Sequence, residues 1–239
     1  MSAAIPAMAD PESNIALIRR SPFVAAAGEA ALERLTRIGF VQQLPRNTTL
    51  FDQHEEPNYL HLLLQGSIGL RARAESGDRT IVEIFTAGEL FLVPAVILRL
   101  PYLASAVALT EVRVMLIPAD AFLEGMEQDH VLARATIQLL SRHWRLMVDQ
   151  VVDLKLRSSE QRLARFLARR VPEEAGAASA DLPEPRGAIA GRLGMTPETL
   201  SRTLAALEAK GVVRISSRRA DVLDRAEMLA AVRTAAPPR

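Results

Sequence analysis

The sequence predicts an α+β chain in three parts: an N-terminal β-roll, a long dimerisation helix and a C-terminal winged helix-turn-helix. Three observations carry that prediction. Between Phe40 and about Ile117, short β-branched and leucine-rich runs alternate with turn signals. From about Asp129 to Leu156, no Gly or Pro interrupts a helical apolar period. The stretch from Ile189 to Glu208 divides at a glycine into two amphipathic helical halves.

Composition bounds the answer before any motif is read. With 239 residues the chain exceeds one typical domain, and 49% hydrophobic against 24% charged residues marks a folded chain rather than a disordered one. Cysteine is absent, which excludes disulfides, thiolate zinc sites, cysteine-ligated iron-sulfur clusters and cysteine nucleophiles. The apolar runs are too short to span a bilayer and Met1 to Arg20 carries no cleavable signal pattern, so a cytoplasmic protein without a membrane partner is expected.

In chain order, the Ala- and Pro-rich start up to about Pro11 reads as loose. Asn14 to Arg20 and Ala27 to Ile38 read as helices, the second with Ala31, Leu32 and Leu35 on one side. Turn signals at Pro45-Arg46-Asn47, Glu55 to Asn58, Gln65-Gly66-Ser67, Glu75-Ser76-Gly77-Asp78 and Ala87-Gly88-Glu89 then punctuate the strands of a small barrel or roll. A short helix is expected over Asp120 to Glu127. In the long helix that follows, Ile137, Leu140, Trp144, Met147, Val151 and Leu154 step by three and four residues, an a/d seam for a two-fold dimer. A second stripe, Leu132, Leu139, His143 and Leu146, faces the helix's own roll. The parts are therefore residues 14–128 (roll), 129–156 (dimerisation helix) and 157–239 (winged helix-turn-helix).

Ser158 or Ser159 caps a helix over Glu160 to about Val171 with Leu163, Phe166 and Leu167 inside, and Pro172 to Arg186 reads as a loop. Ile189, Ala190 and Leu193 give the next helix its apolar face, Gly194 allows a sharp turn, Thr196 is an N-cap and Pro197 suits the first helical position. Leu200, Leu204 and Leu207 turn inward, leaving Glu198, Ser201 and Arg202 outside. Gly211 ends that helix. Val212 to Ile215 and Val222-Leu223 read as strands, joined by the hairpin Ser216-Ser217-Arg218-Arg219, the wing.

The exposed set is chemically suited to DNA. Arg grips guanine O6 and N7 bidentately, a carboxylate accepts from cytosine N4, and a Ser hydroxyl is adaptable. Thr196, Glu198, Thr199, Ser201, Arg202, Arg218 and Arg219 form the candidate DNA-binding set. Charge agrees: from Arg186 to Arg239 ten Lys/Arg face five acids, a balance of +5, while the whole chain is +1 and the rest is therefore −4. The rival is a ligand-binding dimer that acts through protein contacts, which a steep salt dependence of DNA binding would exclude. No Gly-rich phosphate loop, metal-ligand spacing or nucleophile elbow points to an enzyme, so no catalytic or metal residue is assigned.

Taken together, the helical lead-in, roll, long helix and winged helix resemble the Crp/Fnr family of bacterial transcription regulators from roughly Asn14 to Leu229. The most specific stretches are Gly88-Glu89-Leu90, Pro101 to Val112 and Leu193 to Arg202. The resemblance implies a cyclic-nucleotide-binding-like roll, a homodimer, and RNA polymerase as a partner. Glu198-x-x-Ser201-Arg202 is similar to the Fnr-type recognition helix, whose members read TTGAT/ATCAA inverted repeats, and the cyclic-AMP type has Arg where this chain has Pro197. By that resemblance Arg202 and Glu198 contact a G·C pair and Ser201 a neighbouring T.

The resemblance also bears on the signal. Cyclic-nucleotide-responsive members often read Pro-Arg-Ser-Ala-Thr, and the places of the phosphate-binding Arg and Ser hold Tyr102 and Leu103, with Arg99 outside the matching position. A phosphodiester without its cation is poorly compensated, so cyclic AMP is disfavoured. Haem is a candidate cofactor, with His54, His61, His130, His143, Met115, Met126 and Met147 as candidate ligands. A small molecule in an apolar pocket lined by Phe85, Leu90, Phe91 and Val93, or no ligand at all, are the alternatives. The candidate effector pocket comprises Phe85, Gly88, Glu89, Leu90, Phe91, Tyr102, Leu103 and His143. An effector there is expected to act by shifting how two long helices pack.

Overall fold

The computed structural model describes residues 11–73, 75, 77–171, 178–216, 218–224 and 228. The expected loose start before Pro11, Ser76 of the fourth turn, residues 172–177 of the expected loop and Ser217 of the wing lie outside them. Contacts divide the chain into two units, residues 1–79 with 83–144 and residues 80–82 with 145–239.

In the first unit, α1 (Pro11–Arg19), α2 (Pro22–Ala27) and α3 (Glu29–Ile38) lead in. The single helix expected over Ala27 to Ile38 is broken because Gly28, at φ 85°, closes α2 and opens α3. Two antiparallel four-stranded sheets form the roll. One has the order β1 (Phe40–Leu44), β8 (Val112–Pro118), β3 (Tyr59–Gln65), β6 (Leu90–Phe91). The other has the order β2 (Thr49–Phe51), β7 (Ser105–Ala108), β4 (Ser67–Arg73), β5 (Arg79–Thr86).

The two-residue period of β3 sorts its side chains between two cores. Leu60, Leu62 and Leu64 join Phe23, Leu32, Leu35 and Phe122 beneath the helices. Leu63 joins Phe51, Ile68, Phe91 and Tyr102 inside the roll. The run Val93 to Leu98, expected among the strands, is instead a short helix, α4 (Val93–Leu98), flanked by left-handed Leu92 and Arg99. Pro94 explains the difference, since it lacks the N–H a ladder needs and suits a first helical turn.

Helix α5 (Ala119–Gln128) precedes α6 (His130–Leu156). Asp129 Oδ1 caps α6 by accepting from the N–H groups of Val131 and Leu132 at 2.8 and 3.2 Å. Leu132, Ala135 and Leu139 are buried, His143 is half-buried and Leu146 is exposed, so the inward stripe ends one turn earlier than its spacing predicts. Along the seam Leu140 packs partly against the first core, while Ile137 (62% exposed), Trp144 (69%), Met147 (62%), Val151 (50%) and Leu154 (44%) are uncovered.

The second unit opens on α7 (Ser159–Arg170), started by a capping box in which Ser158 Oγ accepts from Gln161 N–H and Gln161 Oε1 accepts from Ser158 N–H. Then come β9 (Ala178–Asp181), α8 (Arg186–Arg192), α9 (Pro197–Ala209), β10 (Val213–Ser216) and β11 (Arg219–Val222), the strands ordered β10-β11-β9. Strand β9 corrects the expectation of a loop from Pro172 to Arg186. Its sequence Ala-Ser-Ala-Asp has no β-branched or aromatic residue, and its conformation comes from antiparallel pairing with β11. The wing is also tighter than expected: Ser216 pairs with Arg219 across a two-residue tip, and β11 ends at Val222. A bidentate pair from Arg170 to Glu184, at 2.7 and 3.0 Å, ties the end of this segment to α7 beside the Phe166 ring.

Candidate nucleic-acid interface

Burial and turn chemistry together aim α9. Ala188, Ile189 and Ala190 anchor α8 in the core of the second unit, and Gly194 turns the chain at φ 61°. Thr196 Oγ1 accepts from Thr199 N–H at 3.2 Å and Pro197 occupies the first turn, so α9 starts where its sequence requires. Leu200, Thr203, Leu204 and Leu207 are buried. Glu198, Ser201 and Arg202 are exposed on the opposite side.

These polar side chains are already organised. Arg202 Nη2 donates to Thr199 Oγ1 at 3.3 Å, Thr196 and Thr199 hydroxyls lie 3.2 Å apart, and Ser201 Oγ donates to Pro197 O at 3.0 Å. The Glu198 carboxyl is held below the usual carboxylate range by its own backbone N–H, then by the Thr196 hydroxyl and the positive charge of Arg202. Its ionised form is the one that accepts from cytosine N4. On the wing Arg218 is exposed, whereas Arg219 Nε donates to Asp221 Oδ1 at 2.8 Å, which offsets part of its charge. Arg162 on α7 had no role in the sequence reading. Its Nε donates to Leu193 O at 2.8 Å in the turn before α9, a placement whose only sequence signal is a cation beside the buried Leu163.

The eight residues assigned to an effector pocket fall in different surroundings. Leu90 and Val93 are buried in the core beneath the helices, whereas Phe91 is buried inside the roll with Phe85 packed against that core. Tyr102 is 3% exposed; its ring stacks on Phe51 and its hydroxyl donates to Tyr59 O at 3.1 Å. Burial, with a smaller push from the charge of Glu55, raises the Tyr102 phenol to about 12. Leu103 is 87% exposed between the buried Tyr102 and Ala104. Gly88, at φ 93°, and Glu89, which accepts from Thr86 N–H and Oγ1, build the turn before β6. Phe85 stacks on Phe91 at 4.8 Å and meets His143 at 6.4 Å, where the aromatic interior reaches α6.

The buried core of the roll consists of Phe51, Leu63, Ile68, Phe91, Tyr102 and small aliphatic residues, none of which compensates a phosphate charge. Of the candidate haem ligands, His54, His130 and Met147 are exposed, Met126 is half-buried and Met115 is buried in the first core. His61 is held between Phe51 and Phe91 at 5.2 and 5.4 Å, which leaves its ring faces covered. His143 is the half-buried imidazole beside the aromatic stack. Among the described residues no three His, Asp or Glu side chains gather to hold a metal, and no helix is long and apolar enough to cross a membrane.

Similarity to known proteins covers both units. Residues 41–129 match the cyclic nucleotide-binding domain family and residues 161–231 the Crp-like helix-turn-helix domain family. The nitrogen fixation regulation protein FixK of Bradyrhizobium diazoefficiens is 29% identical over 90% of this chain and 92% of its own. A CRP-like cAMP-activated global transcriptional regulator of Mycobacterium tuberculosis is 24% identical over 79% of this chain and 86% of its own. Among solved structures, one from Ruegeria pomeroyi, described as a candidate cyclic nucleotide-binding protein, is 30% identical with a TM-score of 0.68 and covers 94% of this chain and 99% of that one.

Proposed function

The chain belongs to the Crp/Fnr family of DNA-binding transcription regulators, which are not enzymes, and from that premise we propose that it acts as a homodimer on an inverted repeat of TTGAT/ATCAA type. The carrying observation is the split of α9 into a buried leucine face and an exposed Glu198, Ser201 and Arg202 face. Two copies paired along the apolar α6 seam deliver one such face each into successive major grooves, a helical turn of about 34 Å apart. In this reading Arg202 and Glu198 hold a G·C pair, Ser201 contacts the neighbouring T, and Thr196, Thr199, Arg218 and Arg219 meet phosphates. Bound near a promoter, the dimer contacts RNA polymerase. Its controlling signal enters where Phe85 meets His143, at the side of the roll that touches α6.

Fluorescence anisotropy with the inverted repeat, a single half-site and a scrambled duplex tests this directly. The expected result is preference for the repeat and an affinity that falls steeply with salt. Equal affinity for all three duplexes overturns the proposal. An absorption spectrum of protein from its native host tests for haem at the same time, a Soret band lost in His143→Ala being the positive outcome.

A further inference from the structure

Resting on the dimeric reading above, we propose that Arg162 is a positioning residue that fixes the recognition helix against the C-terminal end of α6, so that the packing of two α6 helices sets the spacing of the half-sites read. Its guanidinium bonds three main-chain carbonyls. Nε donates to Leu193 O at 2.8 Å and Nη2 to Gly194 O at 3.3 Å, both in the turn that precedes α9. Nη1 donates to Arg157 O at 2.8 Å, one residue beyond α6. Carbonyls at helix ends lack partners within their helices, and a planar guanidinium with a rigid fork of donors suits several at once. One side chain thus joins the end of the dimerisation helix to the turn from which the recognition helix starts.

Two further contacts make that joint stiff. A Cβ placed on Gly194 would collide with Leu154 Cδ2, so the turn sits directly on a seam residue of α6. Helix α7, which carries Arg162, is bound to α6 by a ladder spaced four residues apart on both helices. Arg165 Nε donates to Asp153 Oδ2 at 3.3 Å, and Arg169 Nη2 donates to Asp149 Oδ2 at 3.2 Å. Asp153 also pairs with the Arg157 side chain at 3.2 Å, and its main-chain carbonyl accepts from Arg157 N–H at 3.2 Å, which ties the residue whose carbonyl Arg162 grips to the last turn of α6. A displacement of this part of α6 is therefore carried into the turn and on to Thr196, the cap of α9, two residues later.

The test measures spacing rather than affinity alone. Full-length wild type, Arg162→Ala, Arg162→Lys and Arg202→Ala are titrated against the inverted repeat and against the same repeat with one base pair inserted between half-sites. Wild type is expected to prefer the uninserted site, and Arg162→Ala to lose about ten-fold of that preference, equivalent to a coupling of about 1.4 kcal/mol. Arg162→Lys keeps the charge but lacks the fork, so it falls between the two and carries the test should the alanine variant not fold. Arg202→Ala, which changes base reading, keeps the wild-type spacing ratio. A wild-type ratio in both Arg162 variants overturns the positioning role while leaving the dimeric reading intact. Indifference of the wild type itself to half-site spacing overturns the dimeric reading, and the positioning role with it.

Discussion

Tyr102 lies nearly face to face with Phe51, ring centroids 3.9 Å apart and planes 26° from parallel, at the position that the family resemblance matches to a phosphate-binding arginine. Both rings are buried and uncharged, so neither offers a phosphate a compensating cation. Cyclic AMP at about 1 mM, enough to reveal binding as weak as about 4 kcal/mol, is expected to change neither the melting temperature nor the DNA affinity. A saturable shift in either would show that the stack opens. Tyr102→Ala should destabilise the roll by about 3–5 kcal/mol, as other buried aromatic truncations do, measured by urea unfolding.

Arg202 is held by Thr199 before any DNA arrives, which lowers the ordering cost of its contact. Arg202→Ala is expected to cost about 1–3 kcal/mol on the repeat and to flatten discrimination at one base pair per half-site. Competition with single-base variants reads this out. Uniform loss across all sequences would assign Arg202 to phosphate instead.

Trp144 stands on the seam at 69% exposure between Ile137 and Met147, and an uncovered Trp flanked by aliphatic residues is the usual anchor of an interface. Trp144→Asp places a charge there and should convert the proposed dimer to monomer in sedimentation equilibrium. The affinity for the full repeat should then fall by about a hundred-fold or more, toward that of one half-site, as the linkage between two sites is lost. A variant that stays dimeric would place the interface elsewhere.

Where local chemistry alone decides the backbone, the sequence was readable. Thr196, Pro197 and the leucines of α9 each act within a turn or two of themselves, and the structure has that helix where its caps place it. Strand β9 was not readable because its conformation depends on pairing with β11, some forty residues away. The candidate effector pocket is hard to read for a different reason. Hydrophobic residues that line a cavity and hydrophobic residues that fill a core have the same pattern, and Phe91 and Tyr102 are both buried inside the roll. Arg162 was missed because an arginine on a helix usually reads as solvated, and only the fold brings three carbonyls to it.

His61 offers a test of the roll that needs no DNA. Its ring is buried between Phe51 and Phe91, Nδ1 has no hydrogen-bond partner, and burial pushes the imidazole down to about 4 from its ordinary 6.5. Above pH 6.5 neither the folded nor the unfolded chain protonates this residue, so it does not alter stability there. As pH falls from 6.5 toward 4 the unfolded chain takes up the proton and the folded chain does not, so stability is lost; below 4 both are protonated and the loss levels off. The loss from this group between neutrality and pH of about 4.5 should be about 2.5 kcal/mol. His61→Leu removes the titrating group, and any packing defect it introduces acts equally at both pH values. The difference in urea-unfolding free energy between the two pH values should therefore shrink by about that amount in the variant. An unchanged difference would mean that His61 titrates alike in both states and is open to water in the folded roll.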